Sequence, residues 1–155
     1  MTIVKLSERP QWVPALLTWI RTEWPERVTP EDAPLIARLL AANESDKFPT
    51  TLVMVESEKP VAFISLIKYQ VKNWEHLTHW VDALIVAPTH RGNGLASELL
   101  AFAAARANLL GIRELHAYTD KLTLYGKQGW APLPEYTPDA SGLFILRKLC
   151  RTPQN

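Results

Sequence analysis

With 155 residues, 47% of them hydrophobic and 21% charged, the chain is expected to fold as one domain over residues 1–155 with a substantial core. A formal net charge of +1 gives no reason to expect nucleic acid or an anionic membrane surface as a partner. The single cysteine, Cys150, excludes an internal disulfide and a cysteine-rich metal site, and an inert thiol is expected there.

The opening MTIVKLSERPQW lacks the apolar stretch of a signal peptide, and no run approaches the ~20 residues of a membrane span, so a cytoplasmic protein is expected. Thr2 to Leu6 reads as a short strand. From Trp12 to Trp24 apolar residues recur at helical spacing until Pro25 stops them. Thr29-Pro30-Glu31-Asp32 signals the start of a second helix: a capping hydroxyl, a proline in the first turn, and acids at the positive dipole end. That helix carries Leu35, Ile36, Leu39 and Leu40 and fades into Asn43 to Lys47.

Three strands follow: Thr51 to Glu56 and Val61 to Gln70 as a hairpin about Ser57 to Pro60, then Leu77 to Ala87. A helix from Leu95 to Leu110 ends at Gly111, a favourable C-cap. A strand at Glu114 to Thr119, a short helix about Leu122 to Lys127 and a last strand at Leu143 to Leu149 complete the chain. The order is β-α-α-β-β-β-α-β-α-β. Hairpin-joined early strands and helix-joined later ones imply an α/β fold with a mixed, mostly antiparallel central sheet and helices on both faces.

The chemistry-bearing stretch is Val81 to Leu100. An apolar strand ends at Ala87-Pro88, a turn holds Arg91, Gly92, Asn93 and Gly94, and a helix begins at once with Leu95, Ala96 and Ser97. Unpaired amides at the helix start, with the dipole behind them, make a seat for an anion. Glycines allow close approach, and Arg91 adds a donor fork suited to phosphate. This pattern is not a Walker A loop, because no Lys-Ser/Thr pair follows Gly94. It also fails the dinucleotide fingerprint at the third glycine, where Ser97 stands.

Arg91-Gly92-Asn93-Gly94-Leu95-Ala96 instead resembles the acyl-CoA-binding motif [Q/R]-x-x-G-x-[G/A] of the GNAT superfamily of N-acetyltransferases. The preceding Leu84-Ile85-Val86-Ala87-Pro88 and the block Leu124-Tyr125-Gly126-Lys127-Gln128-Gly129-Trp130 are similar to further family segments. The resemblance is strongest over Leu77 to Trp130. It implies acetyl-CoA as co-substrate, with its diphosphate on the amides of Gly92 to Ser97 beside Arg91. The backbone of Leu84, Ile85 and Val86 would pair with the pantetheine arm as an added strand does. It implies Asp120 as a further cofactor contact, although the spacing YTDKLTLY is shorter than the family's usual pattern.

The same resemblance casts Tyr125 as general acid for the departing thiolate, and a tyrosine with pKa ~10 is protonated at neutral pH. Its plainer role is packing on the short helix. Asp82 stands where the family often carries an acid or histidine. It could relay a proton or hold the substrate ammonium, or it could simply face solvent. His76 and His79 alone make a poor metal pair, since no third ligand is evident. Trp19, Glu23, Trp24 and Trp80, with Trp74, could stack on or neutralise an amine-bearing acceptor, or simply pack. Two functions stand: an N-acetyltransferase acting on a small-molecule or protein amine, as monomer or homodimer, or a non-catalytic acyl-CoA sensor. A longer acyl donor is a further alternative.

Overall fold

A computed structural model describes residues 1–27, 31–34, 36–37, 48–138 and 140–150. The described strands are β1 (Thr2–Lys5), β2 (Thr50–Glu56), β3 (Lys59–Lys68), β4 (His79–Val86), β5 (Glu114–Thr119), β6 (Ala131–Pro132) and β7 (Phe144–Leu149). They make one sheet in the order β1-β2-β3-β4-β5-β7-β6. Every neighbouring pair is antiparallel except β4 and β5, so the mixed, mostly antiparallel α/β sheet is present.

Helix α1 (Val13–Glu23) covers one face, burying Leu16, Leu17 and Ile20 against Val53, Phe63, Ala83 and Ile85. Helix α2 (Leu95–Leu109) covers the other, where Leu95, Leu99, Leu100, Ala103 and Ala107 meet Ile64, Leu66, Val81, Leu115 and Ala117. The short α3 (Leu122–Gly126) follows β5 and adds Tyr125 to that second cluster. Thr29, Pro30, Leu35, Leu39, Leu40 and the segment Asn43 to Lys47 lie outside the described residues. Residues 33, 34, 36 and 37 are helical, and Ala33 and Ile36 pack against the α1 cluster.

Two boundaries differ from expectation for local reasons. The β2–β3 turn is only Ser57-Glu58, both at positive φ (50° and 63°), the backbone of a type I′ hairpin. Lys59 and Pro60 therefore already belong to β3, and Pro60 is tolerated beside a register shift. The strand expected from Leu77 begins at His79, because the amide of Leu77 closes a turn on Trp74 O at 3.0 Å. Strand β6 was not expected at all. Its two residues, one a proline, are too few to show an alternating pattern.

The sheet detail that shapes the site is a bulge. Ser65 pairs with Ala83 and Leu66 with Val81, leaving Asp82 as the extra residue of β4. As a result Val81 packs on the α2 side, whereas Ala83 and Ile85 pack on the α1 side. Odd-numbered residues face both ways along one strand only because Asp82 intervenes.

Candidate active site

Strand β4 is paired with β3 from end to end but meets β5 at just two positions, Trp80↔His116 and Val81↔Ala117. Beyond them the strands part. Residues 82–86 of β4 have no strand on that side, while Tyr118 and Thr119 of β5 continue on β7. A fork in a sheet leaves backbone donors and acceptors for an extended, amide-bearing chain to satisfy.

The open arm of the fork runs into the glycine turn. Gly92 and Gly94 both sit at positive φ (81° and 78°), and beyond the adjacent residues nothing lies within 4 Å of where a Cβ would stand on either. Both face open space. Gly94 is the N-cap of α2, so the amides of Leu95, Ala96 and Ser97 start the helix without intrahelical acceptors. The side-chain amide of Asn93 donates to His90 O at 3.1 Å, closing the turn from within. Arg91 Nε donates to Val86 O at 3.0 Å, which ties the guanidinium to the end of β4. Its Nη2 lies 3.5 Å from the Glu23 carboxylate at the end of α1. The sequence places Glu23 with the acceptor residues; the structure brings it to the turn.

Tyr125 is 5% exposed and packs edge-on against Trp130 at 5.0 Å between ring centroids. Burial raises its pKa above the ordinary tyrosine value, so the hydroxyl stays protonated at any physiological pH.

Residues 13–130 match the family model described as acetyltransferase (GNAT) family. The chain belongs to the GNAT acetyltransferase family. No curated protein matches it. An aminoglycoside 6′-N-acetyltransferase solved with coenzyme A has a TM-score of 0.77 at 17% identity, covering 100% of both chains. The aminoglycoside 6′-N-acetyltransferase from Enterococcus faecium gives 0.75 at 16%, again over 100% of both. PaiA N-acetyltransferase from Thermoplasma acidophilum, in complex with coenzyme A, gives 0.67 at 17%, covering 96% of this chain and 99% of that one. At such identities the likeness establishes the fold.

GNAT enzymes use acetyl-CoA as co-substrate, and the residues present fit it. The turn offers open left-handed glycines, unpaired helix amides and one arginine, a donor set for a diphosphate. The fork offers an unpaired strand edge for the arm. Asp120 is exposed just after β5, where its carbonyl accepts from the Leu122 amide at 2.9 Å. No helix of the described residues is long and apolar enough to cross a membrane.

The tryptophans expected to line an acceptor site are engaged in packing. Trp19 stacks on Phe63 at 6.2 Å, and Trp24 packs beside it against the α1 cluster. Trp80 is buried, and its indole N–H donates to Tyr69 O and Leu77 O at 3.1 and 3.0 Å. Trp74 meets Tyr136 edge-on at 5.7 Å. Asp82 is half-buried at the bulge, one residue beyond the last β4–β5 pair.

Sequence reasoning missed His116. Its neighbours Leu115 and Ala117 pack on the α2 side, which turns His116 to the opposite face, 5.5 Å from the Trp80 ring. The imidazole is 2% exposed, and neither ring nitrogen makes a hydrogen bond of good geometry among the described residues. An unmet buried polar group costs about 1–3 kcal/mol. In the sequence it is one histidine in an alternating strand, and only the fork makes it conspicuous.

Proposed function

We propose that the protein is an acetyl-CoA-dependent N-acetyltransferase that moves the acetyl group directly to a small-molecule primary amine. The observation that carries this is the fork of β4 and β5, whose open arm leads through a single 3-10 turn at Pro88–His90 into the Gly92–Gly94 turn and the start of α2. In this reading the diphosphate rests on the amides of Gly92 to Ser97 with Arg91 beside it. The pantetheine arm lies along Leu84, Ile85 and Val86, and its far end passes Asp120.

Tyr125 stands at the general acid's position for the sulfur, and it serves there as a hydrogen-bond donor. At reference values a tyrosine (~10) is a weaker acid than a thiol (~8.5) by about 1.5 units, or ~2 kcal/mol. Burial widens that gap, so the hydroxyl works by a charge-assisted hydrogen bond to the developing thiolate, which holds until a proton is captured. Asp82 holds the acceptor ammonium rather than taking its proton. Moving a proton from an amine (~10.4) to a carboxylate (~3.9) is uphill by about 9 kcal/mol. The aminoglycoside acetyltransferases of the same fold support a small amine as acceptor and make amino sugars the first compounds to try.

The test is a calorimetric titration with acetyl-CoA followed by thiol release with a panel of primary amines. We expect micromolar binding and amine-dependent release. No heat at millimolar cofactor would overturn the assignment, and binding without release for any amine would favour the acyl-CoA sensor.

A further inference from the structure

At the end of the sheet where β4 and β5 begin, an open cavity of about 420 Å³ takes lining from both faces, Ile112 and His79 from the α2 side and His116 from the other. His76, Thr78, His79, Arg113, Glu114 and His116 line it. His116 is its least exposed wall, and neither ring nitrogen makes a hydrogen bond of good geometry among the described residues. The Glu114 carboxylate stands 3.5 Å from Nε2. The three histidines are not a ligand set, since no group of His, Cys, Asp or Glu among the described residues could hold a metal ion.

The position of this ring matters more than its burial. His116 pairs with Trp80, one step before the strands part. Tyr125 belongs to the cluster on the α2 side that also holds Val81 and Ala117; His116 faces the other side. The tyrosine and the imidazole therefore belong to opposite faces of the sheet, with His116 one pair before the strands part. A transfer reaction needs two such groups within reach of one carbon, because a proton must leave the nucleophile while the leaving group is supported.

We propose that His116 is the proton acceptor of the acetyl transfer and that the cavity it lines admits the acceptor amine. This rests on the acetyltransferase reading above. The ammonium first releases a proton to solvent, and the neutral amine that remains attacks the thioester carbonyl carbon, forming an N–C bond. As it forms, the nitrogen gives a proton to the His116 imidazole. The C–S bond breaks with its electron pair passing to sulfur, which Tyr125 supports by hydrogen bonding until solvent supplies a proton. His116 returns its proton to solvent, so amine and thioester become amide and thiol with nothing left over.

An imidazole in this place must be uncharged to act, and its surroundings keep it so. Burial is the largest influence and lowers its pKa from the ordinary 6.5; Arg147, opposite on β7, and His76 act in the same direction. Glu114 and the backbone of His79 oppose them. The sum leaves a free lone pair at neutral pH.

The experiment compares wild type with His116→Gln and His116→Leu. Acetyl-CoA affinity is measured by calorimetry, and thiol release is followed with kanamycin and n-butylamine from about pH 5 to 9. Both variants should bind acetyl-CoA within about twofold of wild type, while kcat/KM falls by ~100-fold or more. The wild-type acid limb below pH 6.5 should vanish from the His116→Gln profile, a change that a packing role would not produce. Should wild type turn over neither amine, the His116 Cε1 resonance is followed by NMR while n-butylammonium is added, and it should shift. A His116→Gln rate within threefold of wild type, an unchanged acid limb, or an unmoved resonance would overturn the proposal. Failure of wild type to bind acetyl-CoA would instead overturn the acetyltransferase reading on which it stands. His116→Leu keeps the comparison usable if the glutamine variant folds poorly.

Discussion

Arg91 serves two partners, and their strengths differ. Its bond to Val86 O holds the base of the side chain, whereas the Glu23 contact is long at 3.5 Å and open to water, with 54% and 39% of the two side chains exposed. An exposed pair of this kind contributes about 0–1 kcal/mol. A diphosphate brings at least one full charge to the same guanidinium, so it displaces Glu23 rather than competing evenly with it. Arg91→Glu should accordingly raise the acetyl-CoA Kd by ~100-fold or more, read by calorimetry. Glu23→Gln should have the opposite sign, tightening Kd by up to about threefold at low salt, with the difference gone near 0.5 M as screening grows. A weaker-binding Glu23→Gln would place that carboxylate elsewhere in the site. For Tyr125→Phe, general acids set the scale: kcat should fall by ~100-fold while acetyl-CoA affinity stays within twofold. Equal turnover of the two proteins would remove the hydroxyl from the reaction.

At the scale of elements, the glycine turn and the bulge contrast in how they are written. Two glycines, an arginine and an apolar strand leading to a helix are local in sequence, and the structure forms them as a local unit with both glycines at positive φ. Gly94→Ala tests this directly. The empty space around the missing Cβ means no clash, so the penalty is the left-handed backbone alone, about 1–2 kcal/mol, or a fall in Tm of about 2–8 °C. If the turn instead relaxes to normal φ, its amides turn away from the anion seat; stability is then kept while acetyl-CoA affinity drops. Retention of both would show that the turn is not built around its conformation. The bulge at Asp82 has no such local signature. It arises from how β4 registers against β3, between Leu66↔Val81 and Ser65↔Ala83, and no pattern within VDALIV announces which residue is extra.

Across the whole molecule, what the sequence made legible was periodicity and short motifs: α1, α2 and β5 fall within a residue or so of their expected bounds. What stayed hidden was the fork, because it is a relation between β4 and β5, distant in sequence, rather than a property of either. His116 was hidden with it. The same residue sets a prediction about global stability. Its folded pKa lies below the ordinary 6.5, so between 6.5 and that lower value the unfolded chain binds a proton that the native protein does not. Stability must then rise with pH through this window and fall as the solution is acidified below 6.5, by at most about 1.4 kcal/mol per pH unit for one proton. His79, whose pKa burial also lowers, adds a second contribution of the same sign. Urea unfolding at a series of pH values should therefore show His116→Leu losing less stability than wild type between pH 6.5 and about 5. At neutral pH it should be equally or more stable, since a buried imidazole without a well-formed hydrogen bond is gone. Parallel wild-type and variant curves across that window would mean the imidazole titrates alike folded and unfolded. A more stable but inactive variant would mark a site where the fold keeps an unmet polar group because the reaction uses it.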